Sequence, residues 1–218
     1  MVGPLRMGFG NIVAAGSILR NDFPEDNNLI VGKTHSPKTI RFTPRTYANL
    51  HRIVGNNIVY LANLMALEEW YIHARRPFLE AQEFGGLIYE GLLDKLALAK
   101  KERVKRLQVL AEKASALPVG GAKAQKGSEG RKEFHEKFVE IEKLFASGIA
   151  SDMIGKGRDD FLSSFDKASR GSKENYIAAL KGLPADVSEK GVAWLQQIVD
   201  AFCRKAQIIV PSLTMFGK

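Results

Sequence analysis

From residue 44 onward, apolar residues recur every three or four positions, the period of helices with one buried face. Leu50, Val54, Ile58, Leu61 and Met65 set such a stripe on a helix predicted over 44–74. Thr43 is placed to cap it, with Pro44 at its first position. Asn57 lies close to the stripe and needs partners if buried. Arg75-Arg76-Pro77 predicts a break, followed by a second helix over 78–116. Gly85, Gly86 and Gly91 weaken its first part, whereas Leu92, Leu96, Ala99, Val104, Leu107 and Ala111 are regular. The Gly/Ala/Lys-rich stretch 118–130 predicts a mobile loop that subdivides the helical region. Phe134, Phe138, Ile141 and Phe145 mark a third helix stopping near Gly148. Short helices are expected at 158–168, with Asp159 and Asp160 in the first turn, and at 172–181, capped by Ser172. Asp186 and Glu189 have capping-box spacing and open a last helix to about Ile208. Trp194, Ile198, Ala201, Phe202 and Lys205 follow at helical spacing, with Pro211 as the stop.

The first 34 residues obey a different period. Residues 7–24 divide into three six-residue units opened by Met7, Val13 and Leu19. Small or polar residues, including Gly8, Gly10, Ala14, Ala15, Gly16 and Ser17, take the corner positions. Three short strands around a triangular prism, with one large residue per face pointing to the axis, account for this pattern. Leu29-Ile30-Val31 reads as a further strand ending at Gly32. One such turn buries too little to offset the ordering of its backbone, and both its edges are open. The predicted fold class is therefore mainly α, with one terminal turn of a left-handed parallel β-helix followed by an α-helical bundle. The expected divisions are 1–34 for the turn, 35–43 for an extended connector containing Ser36-Pro37, and 44–218 for the helices.

Gly10-Asn-Ile-Val-Ala-Ala-Gly-Ser-Ile-Leu-Arg-Asn-Asp-Phe-Pro-Glu-Asp-Asn-Asn-Leu-Ile-Val-Gly32 resembles the closing turn of hexapeptide-repeat acyltransferases. The segment from Val2 to Ser17 is similar to bacterial proteins related to UDP-N-acetylglucosamine pyrophosphorylase, which carry a long β-helix and a helical C-terminal region. The resemblance implies a body of upstream turns, supplied by a longer protein or by another copy, and a homo-oligomer, with a trimer favoured. It also implies acetyl-CoA in the groove between prisms. Carried over by position, Ala14, Ala15 and Ser17 would face the pantetheine arm, and Arg20 and Lys33 would meet the CoA phosphates. Nucleotide sugars or amino-sugar phosphates are the implied substrates. The family's catalytic histidine belongs to an earlier turn, and a pyrophosphorylase needs a Gly-rich nucleotide loop that this sequence lacks. The expectation is a C-terminal segment that is inactive alone, with no catalytic residue assigned. The alternative is a non-catalytic helical scaffold that binds a protein or, weakly, an acidic partner.

Bulk properties change this picture little. A formal charge of +8 with a pI near 9.5 permits acidic ligands without selecting one. Cys203 is the single cysteine, which precludes an internal disulfide, and its apolar helical setting predicts a buried thiol. With neither a membrane-length apolar run nor a secretory pattern, the expected location is cytoplasmic, without a membrane partner.

The remaining candidate chemistry is sparse. Lys100, Lys101, Arg103, Lys105 and Arg106 form the densest basic run, interrupted by Glu102 and spread around the helix. A solvated helix face explains it better than an anion site. With Lys123, Lys126, Arg131 and Lys132 it could flank a phosphate backbone, but no RNA-binding motif or exposed stacking pattern accompanies it, so nucleic acid is not expected. Glu69 and His73, one helical turn apart, are a single pair rather than the repeated Glu-x-x-His of a di-metal helical site, and no metal is expected. His35 is the histidine nearest the β-helix turn, and a connector position exposed to water is its simpler reading.

Overall fold

A computed structural model describes residues 5–32, 47, 49–116, 122–147, 155–169 and 175–216, with the backbone alone for 122–127. The chain is mainly helical with a small two-stranded sheet, and it divides into compact units at 1–48 and 49–218. The connector at 35–43 and the helix start at Thr43-Pro44 lie outside the described residues.

In the first unit, β1 (Ile12–Val13) and β2 (Leu29–Ile30) pair in parallel, Ile12 with Leu29 and Val13 with Ile30. A parallel bridge joins Met7 to Phe23. Strand alternation separates the two faces. Ile12 and Leu29 are 66% and 67% exposed, whereas Ile30 is buried and Val13 is 37% exposed. Of the three expected axial residues, Leu19 is buried, Met7 is half-buried and Val13 keeps just over a third of its surface exposed.

The second unit is built on α1 (Leu50–Trp70). Its predicted stripe is buried throughout, and Gly55, Ala62 and Ala66 extend it. Helix α1 packs on α8 (Ala185–Ile209) and on α3 (Gly85–Ser115). Trp194, Ile198, Ala201, Phe202 and Ala206 form the buried face of α8. Helices α4 (Ala122–Glu136) and α5 (Phe138–Ser147) cover α3, and the Phe145 ring stacks on Phe202 at 5.1 Å. Helix α6 (Gly155–Ser169) packs on α8 and on the short α7 (Tyr176–Lys181). Past Ile209 the chain folds back. Gln207 donates to the carbonyls of Val210 and Leu213 and accepts from Met215 N–H, which fixes that segment against α1. No helix among the described residues is long and apolar enough to cross a membrane.

Several boundaries differ from expectation. The break falls at 81–84, not at Pro77. Pro77 lies in the first turn of α2 (Arg76–Glu80), preceded by a π-helical turn, Tyr71–Arg75. A proline ring clashes with the carbonyl four residues back, and widening the preceding turn relieves the clash. Residues 122–130, predicted as a loop, are helical. Ala122, Lys123, Ala124, Gln125 and Lys126 are strong helix formers. Gly130 serves close packing instead of a turn, since a Cβ there would stand 3.1 Å from the Ser212 carbonyl. Helix α6 starts early enough that Asp159 and Asp160 miss its first turn. Ser172 lies outside the described residues, and Asn175 caps α7 by accepting from Ala178 N–H at 3.0 Å. At α8 the cap is Pro184 with no side-chain bond, so the capping box does not form. Asp186 sits instead in the first turn, where negative charge is favoured.

Glycine is required at Gly85, where a Cβ would stand 1.7 Å from the Leu79 carbonyl oxygen, which is main chain and has little room to yield. Gly85→Ala is expected to lower stability by about 2–4 kcal/mol, read from the urea midpoint. Gly91→Ala, where an added Cβ meets nothing within 4 Å, is expected to raise stability by about 0.5–1 kcal/mol. Equal effects at both positions would contradict the packing at 79–85.

Candidate functional site

The residues expected to line a cofactor groove fall at one corner of the first unit. Ser17 N–H donates to the Ala14 carbonyl at 3.2 Å, and Gly16 takes φ +76°. That tight turn leaves Ala15 exposed at its tip. Ala14 N–H donates to the Ile30 carbonyl at 2.9 Å, and Ser17 Oγ accepts from Gly32 N–H at 2.9 Å. Ala14 and Ser17 thus spend these polar groups within the unit. Arg20 is exposed, and Lys33 lies outside the described residues.

Sequence reasoning missed the residue that ties this unit together. Asn11 Nδ2 donates to the Glu25 carbonyl at 2.8 Å and to the Gly8 carbonyl at 3.2 Å, while Asn11 Oδ1 accepts from Asn28 N–H at 2.7 Å. The carboxylates of Asp22 and Asp26 accept from Arg6 N–H and Phe9 N–H at 2.9 and 2.6 Å. Gly10 and Asn27 both have positive φ, and a Cβ on Gly10 would stand 2.3 Å from Asn27 Oδ1. The signal was present: Gly10-Asn11 is followed by Asn27-Asn28 at the same spacing as the β1–β2 pairing.

In the helical unit the basic run divides between faces. Lys100 reaches α1 and pairs with Glu68 at 2.6 Å. Arg103 donates to Asn57 Oδ1 at 3.2 Å and lies over the Tyr60 ring at 4.6 Å, so Asn57 has its partner. Arg106 pairs with Glu102 on the exposed side, and this contact holds the Glu102 carboxyl below its usual range. These contacts make the run part of the α1–α3 packing and of a solvated face. Lys123 and Lys126 lie on α4 with side chains outside the described residues.

His73 Nε2 lies 3.2 Å from Glu69 Oε2. Among the described residues no group of three or more His, Cys, Asp or Glu could hold a metal ion; His35 lies outside them. The π-turn that carries His73 borders an aromatic cluster. Trp70 stacks on Phe161 at 5.7 Å and donates to Tyr176 Oη at 2.9 Å, and Arg75 lies 3.4 Å over the Tyr176 ring. Cys203 is half-buried rather than buried. Burial, reinforced by the nearby Asp200, pushes its thiol up to about 11. Such a thiol holds almost no thiolate at neutral pH, which argues against a nucleophilic role.

Comparison of the chain with protein-family models, curated proteins and solved structures gives no match.

Two measurements follow from this geometry. Ser17→Ala removes the acceptor of Gly32 N–H and is expected to speed hydrogen exchange at that amide about fivefold, the equivalent of about 1 kcal/mol. An unchanged rate would show that the Ser17 bond does not hold the strand. Alkylation of Cys203 by iodoacetamide is expected to stay slow at pH 8 and to accelerate as pH rises toward 11. A rate already at its plateau at pH 8 would contradict the burial of the thiol.

Proposed function

We propose that residues 5–32 belong to the terminal coil of a left-handed parallel β-helix. The host is a hexapeptide-repeat transferase-like protein related to UDP-N-acetylglucosamine pyrophosphorylase and glucosamine-1-phosphate acetyltransferase. The observation that carries this reading is the parallel return of the chain without a helix. Asn11 meets Asn28 across 17 residues, and Arg6 meets Asp22 across 16. Parallel neighbours are usually joined by a helical crossover of a dozen or more residues. A backbone that instead turns corners between stacked strands is consistent with the parallel register and the positive-φ residues Gly10 and Asn27, although its return of 16 to 17 residues is shorter than three strict six-residue units.

In this reading the coil stacks on upstream turns or on another copy, and the assembly is a trimer. Acetyl-CoA runs along the corner at Ala14, Ala15 and Ser17, with Arg20 and Lys33 at its phosphates. The acceptor is a nucleotide sugar or amino-sugar phosphate. The chain by itself contributes one wall and no catalytic base, so it is silent alone. The commitment of Ala14 N–H and Ser17 Oγ within the unit favours a second reading, in which the coil sets symmetry only and the helices form a non-catalytic scaffold.

Calorimetry with acetyl-CoA separates the two readings. Specific binding by the oligomer, weakened by about 1–3 kcal/mol in Arg20→Ala or Lys33→Ala, is expected for the transferase-like reading. A stable oligomer with no CoA affinity would leave the scaffold. Residues 1–218 alone are expected to show no acetyl transfer to glucosamine 1-phosphate; turnover by the isolated chain would refute the assignment of its chemistry to other turns.

A further inference from the structure

Helix α3 runs for 31 residues, yet none of the ten residues from Gly86 to Lys95 is buried. This stretch includes Leu87, Ile88, Leu92 and Leu93, and two glycines that disfavour a helix, Gly86 and Gly91. A helical segment without tertiary packing is marginal in water. Leu87 and Leu98 are 68% and 58% exposed. With Gly91 and Asp94 between them, they follow one stripe at spacings of four, three and four. The stripe continues past exposed Lys101 and Lys105 to exposed Val109. An apolar stripe left open along a helix marks an interaction surface.

The charges beside the stripe identify the partner. On one flank Glu90 and Asp94 are four residues apart and repel, and Lys101 and Lys105 do the same farther along. A helix arranged for its own stability would alternate the signs at this spacing. Among the described residues, Glu90, Asp94, Lys95 and Lys101 enter no ion pair, whereas Lys100 and Glu102 each do. The flank is thus acidic before Leu98 and basic after it. A second α3 laid antiparallel about a two-fold axis at Leu98 reverses that order and keeps each flank on its own side. Asp94 then comes level with Lys101 of the second copy, and Glu90 with its Lys105. On the opposite flank Lys95 comes level with Glu102 of the second copy. Leu98 meets its own counterpart on the axis, and Leu87 meets Val109. Every such contact is made twice, so the surface is complementary to itself in charge and in apolar content.

We propose that the exposed stripe of α3 binds the same stripe of a second copy of this chain, antiparallel and two-fold symmetric about Leu98. The pairing uses the helical unit alone and does not rest on the reading of the coil. Sedimentation equilibrium of the full chain is expected to show a mass that rises with concentration from 24.1 kDa toward twice that value. Asp94→Lys sets lysine against lysine, and Lys101→Asp sets aspartate against aspartate. Each change is expected to weaken self-association about tenfold. Mixing the two variants restores opposite charges at both symmetry-related contacts, and the mixture is expected to pair as the parent does. In a Cys203→Ser chain, Leu98→Cys is expected to link two copies on oxidation. Leu87→Cys is not, because its two copies stand about 33 Å apart in this arrangement. A mass fixed at 24.1 kDa at every concentration would show that something other than a second copy covers the stripe, and would overturn the proposal. So would association indifferent to both charge changes, as assembly through the coil would be, or a mixture that pairs no better than its components. Equal linking at positions 87 and 98 would replace the antiparallel arrangement by a parallel one.

Discussion

The helical unit depends on the face that α1 buries against α8. Val54, Ile58, Leu61 and Ala62 are fully excluded from solvent on one side, and Trp194, Phe202 and Ala206 are nearly so on the other. Burying a side chain of valine, leucine or isoleucine size contributes about 1.5–3 kcal/mol, so this seam outweighs any surface ion pair in the unit. It also positions the remaining helices. Phe202 stacks on Phe145 and thereby seats α5, while Trp194 stacks on Phe161 and seats α6. Gly55 and Gly191 admit neighbours that a Cβ would repel: the Met215 carbonyl at 2.8 Å and the Phe161 ring at 2.8 Å. The tail and α6 thus approach through gaps in the two central helices.

The first unit is held differently. Between residues 5 and 32, Leu19 and Ile30 are the only buried residues. Its order comes from directional bonds, many of them from side chains to backbone. Asn11 alone bridges Gly8, Glu25 and Asn28. Exposed Ile12, Leu29 and Val31 add apolar surface that the unit does not cover. A fold of this kind gains stability by stacking, because each added neighbour pairs an open edge and covers an apolar layer.

Legibility in the sequence followed the physics of each element. Periodicity exposed the α1 stripe and the α8 face because burial there is continuous and one-sided. Glycine and proline were harder to read, since each has more than one use. Gly130 reads as loop chemistry in the sequence yet serves helix packing, and Pro77 reads as a break yet is absorbed by a widened turn. Capping was misjudged where the competing cap lay a few residues away, at Pro184 instead of Asp186. At the candidate groove, small residues suggested a surface for a ligand, whereas the geometry engages Ala14 N–H and Ser17 Oγ internally. Asn11 escaped notice because its partners are backbone groups of a second strand, visible only once the register is known.

The π-turn connects the two kinds of reading. Pro77 removes one N–H from the helical ladder, and the turn from Tyr71 to Arg75 widens so that Arg76 N–H reaches the Tyr71 carbonyl. The widening changes the rotation of the chain between Trp70 and Phe78, yet both rings join the same aromatic cluster, Trp70 against Phe165 and Phe78 against Phe165. Arg75 is drawn over Tyr176, and His73 lies edge-on to Trp194. Among the described residues, the two buried side-chain nitrogens without a partner are Arg75 Nη1 and Trp194 Nε1. One is on this turn and the other packs against it. Unpaired buried donors are unfavourable, and π-turns concentrate at functional sites. Their coincidence makes the α1–α6–α8 end of the unit, rather than the basic run on α3, the region where its packing departs furthest from what stability alone would select.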